Sequence, residues 1–180
     1  YTESYAHALE LLSKEEVAFS TLPPLVLVKA VDRGVARPLA TMRVEGSQTS
    51  SAVVVAQEGS QLTDLASVRG QTFCFADRNS TTGYLLPRLA MRKAGIDPER
   101  DILPHWSGNH TQVIHDVANG TCAAGATYSA NYLSLTSSGT LPYALSIIAV
   151  TGRAPYDTWV AAPTTPTEQV DALTQALLNF

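Results

Sequence analysis

The chain has 180 residues, a formal net charge of -4 and 45% hydrophobic side chains. That apolar content suits one globular domain, or two small lobes, with a proper core. The acidic balance argues against nucleic acid, which asks for a clustered basic face, and no apolar run is long enough to span a membrane.

The opening "YTESYAHALE" carries no signal peptide and reads as mid-helix, so a mature or trimmed segment is expected. Tyr5, Ala8, Leu9 and Leu12 have helical spacing, and "VAFSTL" (17–22) reads as a strand. "PPLVLVKAVDRG" begins with prolines and ends on Gly34, the punctuation of a short helix. "RPLATMRV" (37–44) and "SAVVVAQ" (51–57) read as strands, and "LTDLASVRG" as a short turn or helix. "QTFCFAD" (71–77) reads as a buried strand. A helix from about Thr81 to Ala94 follows, with Leu85, Leu86, Leu89 and Ala90 on its apolar face. Arg88, Arg92 and Lys93 form the one basic cluster and read as that helix's solvated face.

Next come strand "DILPHWS" (101–107), helix "TQVIHDVAN" (111–119) with Val113, Ile114, Val117 and Ala118 buried, and strand "TCAAGATY" (121–128). Strands "LSIIAVT" and "TWVAA" follow, with "TSSGTLP" and "VTGRAP" as loops. The last helix has Thr165 as N-cap, Pro166 at the first helical position and Glu168 in the place of a capping box. Strands alternating with helices predict an α/β fold with a largely parallel sheet. Cys74 and Cys122 are too far apart for a metal motif, and both lie in apolar runs. Buried free thiols are the default there, with a disulfide between them as the alternative.

In such sheets ligands sit beyond the carboxyl ends of the strands. Two of those ends are polar: "ADRNSTTG" after strand 71–77, and "SGNHT" after strand 101–107. Each opens a helix, and Ser80, Thr81 and Thr82 either cap theirs or hold an anion against open backbone N–H groups. A third strand end offers Thr127 and Tyr128. If these strands are neighbours, one pocket gathers two helix starts, three hydroxyls and His110, a site for a small oxyanion. His7 and His115 read as exposed helix residues, His105 as a strand residue, and Trp106 and Trp159 as packing. Phosphate-loop, dinucleotide-binding and nucleophile-elbow motifs are absent. Ser80, His110 and Asp157 make a triad only on paper.

"LTDLASVRGQTFCFADRNSTTGYLLPRLAMRKAGIDP", "WSGNHTQVIHDVANGTCAAGATY" and "APYDTWVAAP" together resemble the periplasmic solute-binding proteins of phosphonate, phosphite and phosphate ABC importers. The resemblance spans roughly residues 50 to 162. It implies a two-lobed, type II periplasmic-binding-protein fold, with residues 1–48 in the first lobe, 49–151 in the second and 152–180 returning to the first. Ser80, Thr81, Thr82 and Gly83 would hold the oxyanion, His110 would donate to another oxygen, and Asn109 and Tyr128 would complete that side. Asp157 would accept from a protonated oxygen or an amine of the ligand.

The family's Ser-Thr-Ser reads Ser80-Thr81-Thr82 here, and its Gly-Ser-His reads Gly108-Asn109-His110. Where the family's first lobe supplies a tyrosine after a Gly-Pro turn, this chain has Leu25 and Val26. Ser50 and Ser51 stand where an aromatic usually precedes the "VVV" strand. The family's first strand–helix–strand and its closing helix are missing, which either a chain trimmed at both ends or a divergent relative would explain. Its strand order sets 71–77 beside 121–128, and bridging two adjacent parallel strands is awkward, which favours free thiols. The implied function is capture of a phosphorus oxyanion for a membrane permease, without catalysis, cofactor or metal. The implied protein is a monomer in the periplasm or otherwise outside the cytoplasm, with or without a lipid anchor. A sensor domain of a receptor or kinase is the alternative, and a hydrolase the more distant one.

Overall fold

The computed structural model describes residues 4–44 and 46–179. The expected helical start at residues 1–3 lies outside them. The chain forms two compact units, one of residues 1–49 with 155–180 and one of residues 50–154.

The first unit carries α1 (Tyr5–Ser13), β1 (Phe19–Leu22), α2 (Pro24–Asp32), β2 (Arg37–Thr41), β8 (Thr158–Ala161) and α6 (Thr167–Leu178). Ser4 caps α1, its side chain accepting from the His7 N–H at 3.1 Å. The sheet order is β1-β8-β2, and both pairings are antiparallel. Leu12, Leu22, Val26, Ala30 and Val160 form its core. The predicted cap at Thr165 does not form. Pro166 occupies that position without a side-chain bond, and the Thr165 hydroxyl donates instead to the Ala18 carbonyl at 3.1 Å, tying the helix start to β1.

The second unit holds a five-stranded sheet, ordered β5-β4-β6-β3-β7. Its strands are β3 (Thr49–Gln57), β4 (Thr72–Phe75), β5 (Leu103–Trp106), β6 (Ala124–Tyr128) and β7 (Leu145–Pro155). Alternate residues of β3 face opposite ways, as the two-residue strand period requires. Val53 and Val55 join a cluster with Val113, Ile114 and Val117 of α4 (His110–Ala118). Val54 and Ala56 join another with Phe73, Phe75 and Met91, the last from α3 (Leu86–Lys93). A strand covered on both faces explains the unbroken apolar run "AVVVA". At Gly125 the fit is close: a Cβ would stand 2.7 Å from Val113 and 2.8 Å from Val117.

The sheets are less parallel than expected. β4 runs parallel to β5 and β6, and helices intervene along that stretch. β3 pairs antiparallel with β6, and the link from β3 to β4 holds only a 3-10 turn, Ala66–Val68. Without a helical crossover β4 returns antiparallel to β3, and β6, which lies between them parallel to β4, therefore pairs antiparallel with β3. One helix was unforeseen: α5 (Ser129–Ser137) buries none of its residues fully and sets the partly buried Tyr132 and Leu135 against the core, too short a stripe to read.

The cysteines are also corrected. Cys74 and Cys122 form a disulfide, with Cα atoms 5.7 Å apart, inside the usual window. Cys122 lies in the turn before β6 begins at Ala124, so the bridge joins a strand to a turn rather than two adjacent strands. The basic cluster on α3 is partly neutralised: Arg88 and Arg92 both pair with Glu99, and the Arg88 guanidinium lies 4.6 Å from the Tyr84 ring centre.

Candidate functional site

The chain turns abruptly after β4. The Asp77 side chain accepts from the Asn79 N–H at 2.6 Å, and its carbonyl accepts from the Ser80 N–H at 2.9 Å. Ser80 then caps the next helix, its Oγ accepting from the Gly83 N–H at 2.9 Å. The first turn, Thr81–Leu85, is a π-helix before α3 begins. Its bonds span five residues, as from the Leu85 N–H to the Ser80 carbonyl at 3.0 Å. One extra residue in a turn widens it, and such bulges cluster at functional sites. The Gly83 carbonyl is drawn out to accept from the Ala76 N–H at 3.2 Å. Glycine is required here by closeness: a Cβ on Gly83 would meet Ala76 Cβ at 2.6 Å and His110 Cε1 at 2.8 Å.

A second helix starts beside the first. Asn109 caps α4, its side-chain oxygen accepting from the Gln112 N–H at 2.8 Å, and His110 is the first helical residue. His110 Nε2 lies 3.1 Å from Ser80 Oγ, and Nδ1 lies 3.2 Å from Thr127 Oγ1 on β6. The ring stands edge-on to Tyr128 at 4.8 Å between centres. Part of the residue stays accessible, but burial of the imidazole pushes its pKa down from 6.5 to about 4. The ring is therefore neutral at physiological pH.

The structure thus brings Ser80, Thr81, Thr82, Gly83, Asn109, His110 and Tyr128 into one unit, around the starts of two helices. Ser80 and Thr81 are buried, at 1% and 9% exposure, and Thr82 is partly exposed. Asn109 has its side-chain oxygen committed to the cap. Asp157 belongs to the other unit, between β7 and β8, where its carbonyl accepts from the Met42 N–H at 3.1 Å. Burial raises its carboxyl pKa. Sequence reasoning missed Asn131 on α5. Its Nδ2 donates to the His110 carbonyl at 3.1 Å and to Thr127 Oγ1 at 3.2 Å.

Chemically, two positive helix ends with hydroxyl donors suit an anion. They do not suit a nucleophile. A serine–histidine pair is present, but the other ring nitrogen faces a threonine rather than a carboxylate. Another convergence, Cys74, His105 and Asp116, has its ligand atoms within 4.8 Å of one another. The Cys74 sulfur is bonded to Cys122 and offers no thiolate. Asp116 already accepts from Ser107 Oγ at 2.6 Å and Gln112 Nε2 at 2.7 Å.

Comparison with known proteins bears on this arrangement. Residues 1–180 match the family described as ABC transporter, phosphonate, periplasmic substrate-binding protein. Among similar solved structures is a binding protein component of an ABC phosphonate transporter from Pseudomonas aeruginosa. Its TM-score is 0.86 at 22% identity, covering 97% of this chain and 60% of that one. PhnD1 from Prochlorococcus marinus, in complex with methylphosphonate, aligns with TM-score 0.79 at 20% identity, covering 96% of this chain and 66% of that one. The periplasmic aliphatic sulphonate binding protein SsuA from Escherichia coli aligns with TM-score 0.68 at 19% identity, covering 99% and 58%. The fold is that of the type II periplasmic binding proteins, and the chain spans 60% of the length of the Pseudomonas structure. The match along the whole chain makes this protein a member of the periplasmic substrate-binding family of ABC phosphonate transporters.

Proposed function

We propose that this chain captures a small phosphorus oxyanion, such as a phosphonate, phosphite or phosphate, and presents it to the permease of an ABC importer. The proposed site is the mouth of the turn at Ser80–Gly83 together with the start of α4. One observation carries the reading: Ser80 Oγ, at the first helix start, lies 3.1 Å from His110 Nε2, at the second. Two helix dipoles converge where hydroxyl groups cluster, and no cationic side chain is needed to hold the charge. Thr81, Thr82 and the early N–H groups of the wide turn would contact the ligand's oxygens, with Asn109 and Tyr128 flanking His110. The solved relative with methylphosphonate supports a phosphonate over a sulfonate as the first ligand to test. Capture by a monomer outside the cytoplasm fits the family, and sedimentation of the purified chain would check the monomer.

Isothermal titration with methylphosphonate, phosphite and phosphate tests the reading, with an alkylsulfonate for comparison. A ligand at about 100 times its Kd adds about 2.7 kcal/mol to stability, so melting should also rise. Thr81→Asp sets a carboxylate where the ligand's oxygens belong, while remaining acceptable at a helix start. That variant should fold and bind no oxyanion. Binding equal to the parent would move the site elsewhere and leave Ser80–Thr82 as a helix cap.

A further inference from the structure

The fold gathers four metal-binding side chains that the sequence keeps apart. Cys74 on β4 stands opposite His105 on β5 in the parallel register, so both side chains fall on one face of the sheet. α4 covers that face and turns Asp116 onto it. Asp116 Oδ2 lies 3.9 Å from Cys74 Sγ and 3.6 Å from His105 Nε2. The sulfur, the ring nitrogen and the carboxylate oxygen all lie within 4.8 Å of one another. Cys122, in the turn before β6, adds a second sulfur through the bridge.

Two sulfurs, one imidazole and one carboxylate make the donor set of a closed tetrahedral zinc site. Zinc bonds are about 2.3 Å to sulfur and about 2.0–2.2 Å to nitrogen and oxygen. A tetrahedron of those bonds sets sulfur about 3.6 Å from oxygen, and nitrogen about 3.4 Å from oxygen. The two distances to Asp116 exceed these by about 0.2–0.3 Å. His105, with a side chain 43% exposed, has room to turn inward and leaves the ion a way in from solvent. Asp116 is already oriented from outside: Ser107 Oγ donates to Oδ2 and Gln112 Nε2 to Oδ1. Such outer bonds hold a ligating carboxylate in place. Asp116 is also buried, and among the described residues His105 is its one ion-pairing neighbour. A buried carboxylate asks for a cation. What withholds the site is the disulfide, because the metal needs thiolates.

We propose that reduction of the Cys74–Cys122 bridge opens a zinc site made of both thiolates, His105 and Asp116. A dithiol supplies two electrons and two protons. It closes into its own disulfide as the Cys74–Cys122 bond breaks into two thiols. Zinc then displaces the two thiol protons to solvent, and the sulfurs part to about 3.8 Å, the tetrahedral spacing. Bridge and metal are thus alternative occupants of one place. The site is separate from the proposed oxyanion site and does not depend on it.

Cobalt(II) is the probe, because thiolate ligation gives a charge-transfer band and a tetrahedral field gives strong visible bands. The protein is reduced with dithiothreitol, freed of it under argon and titrated with cobalt chloride, with no oxyanion present. One equivalent should bind with the tetrahedral spectrum, and zinc chloride should displace it. The oxidised protein should show neither band. Zinc should raise the melting temperature of the reduced protein and leave that of the oxidised protein unchanged. His105→Ala, at an exposed position, should keep the fold, shift the visible bands and weaken cobalt binding at least about tenfold. Reduced protein that takes up no cobalt overturns the proposal, as does equal uptake by the oxidised form. So does His105→Ala with spectrum and affinity unchanged, or a reduced chain whose circular dichroism is lost and not restored by zinc.

Discussion

Lowering the pH tests whether the His110 ring is as dry as its neighbours imply. Its ordinary pKa of 6.5 is pushed down to about 4 by burial, because a charged imidazole there loses its water. Ser80, Thr127 and Tyr128, which touch the ring, carry no charge at neutral pH to compensate. The sign follows directly. Above pH 6.5 the ring is neutral in both folded and unfolded chains and stability is unaffected. As pH falls toward 4, the unfolded chain takes up a proton that the folded chain refuses, and stability is lost. Each pKa unit corresponds to about 1.4 kcal/mol, so the whole loss is about 3 kcal/mol, with about 2 kcal/mol gone by pH 5. Urea unfolding of the parent and His110→Gln at pH 7 and pH 5 isolates this ring, since the other titrating groups are common to both. At pH 7 the parent should be the more stable, because the glutamine cannot remake both ring hydrogen bonds. By pH 5 the variant should have gained about 2 kcal/mol on it. A gap between the two proteins that is the same at both pH values would mean that the ring is hydrated or paired with a charge. The hydrogen-bonded line through a neutral imidazole would then fall with it.

Gly83→Ala should damage binding more than folding. The added Cβ would lie 2.6 Å from Ala76, 2.8 Å from His110 Cε1 and 3.0 Å from Ser80 Oγ. Overpacking of this kind costs about 1–3 kcal/mol, partly offset by up to about 1 kcal/mol from replacing a helical glycine. Thermal melting should therefore change modestly while methylphosphonate titration shows affinity lost, and parental affinity in the variant would refute the crowding argument. The Cys74–Cys122 bridge closes a separation of 48 residues, worth about 4 kcal/mol of loop-closure entropy. Replacing both cysteines with alanine should lower the urea midpoint accordingly, and titratable thiols in the unreduced, denatured parent would show that no bridge forms.

What the sequence made legible follows from the range of each interaction. The helix mouth at Ser80–Gly83 could be read because capping hydroxyls, glycine and the apolar stripe behind them are neighbours along the chain. The π-turn could not, since its extra residue answers to the Ala76 N–H and to a His110 ring that comes from another helix. Thr165 misled for the same reason: its local role as a cap lost to the Ala18 carbonyl, 147 residues away. The parallel pairing held where helices connect the strands and failed at β3, whose link to β4 carries none. Asn131 stayed hidden because α5 buries no residue fully and turns only the short pair Tyr132 and Leu135 of its described residues to the core cluster, too little periodicity to mark a helix. His110 marks the boundary most sharply. Its position at a helix start was readable, and a direct donation to the ligand was the natural expectation. What packs around it was not readable: Nδ1 faces Thr127, whose hydroxyl accepts from the amide of Asn131, which also donates to the carbonyl of His110 itself. That closed circuit joins β6, α5 and α4, and its logic exists only once all three are packed together.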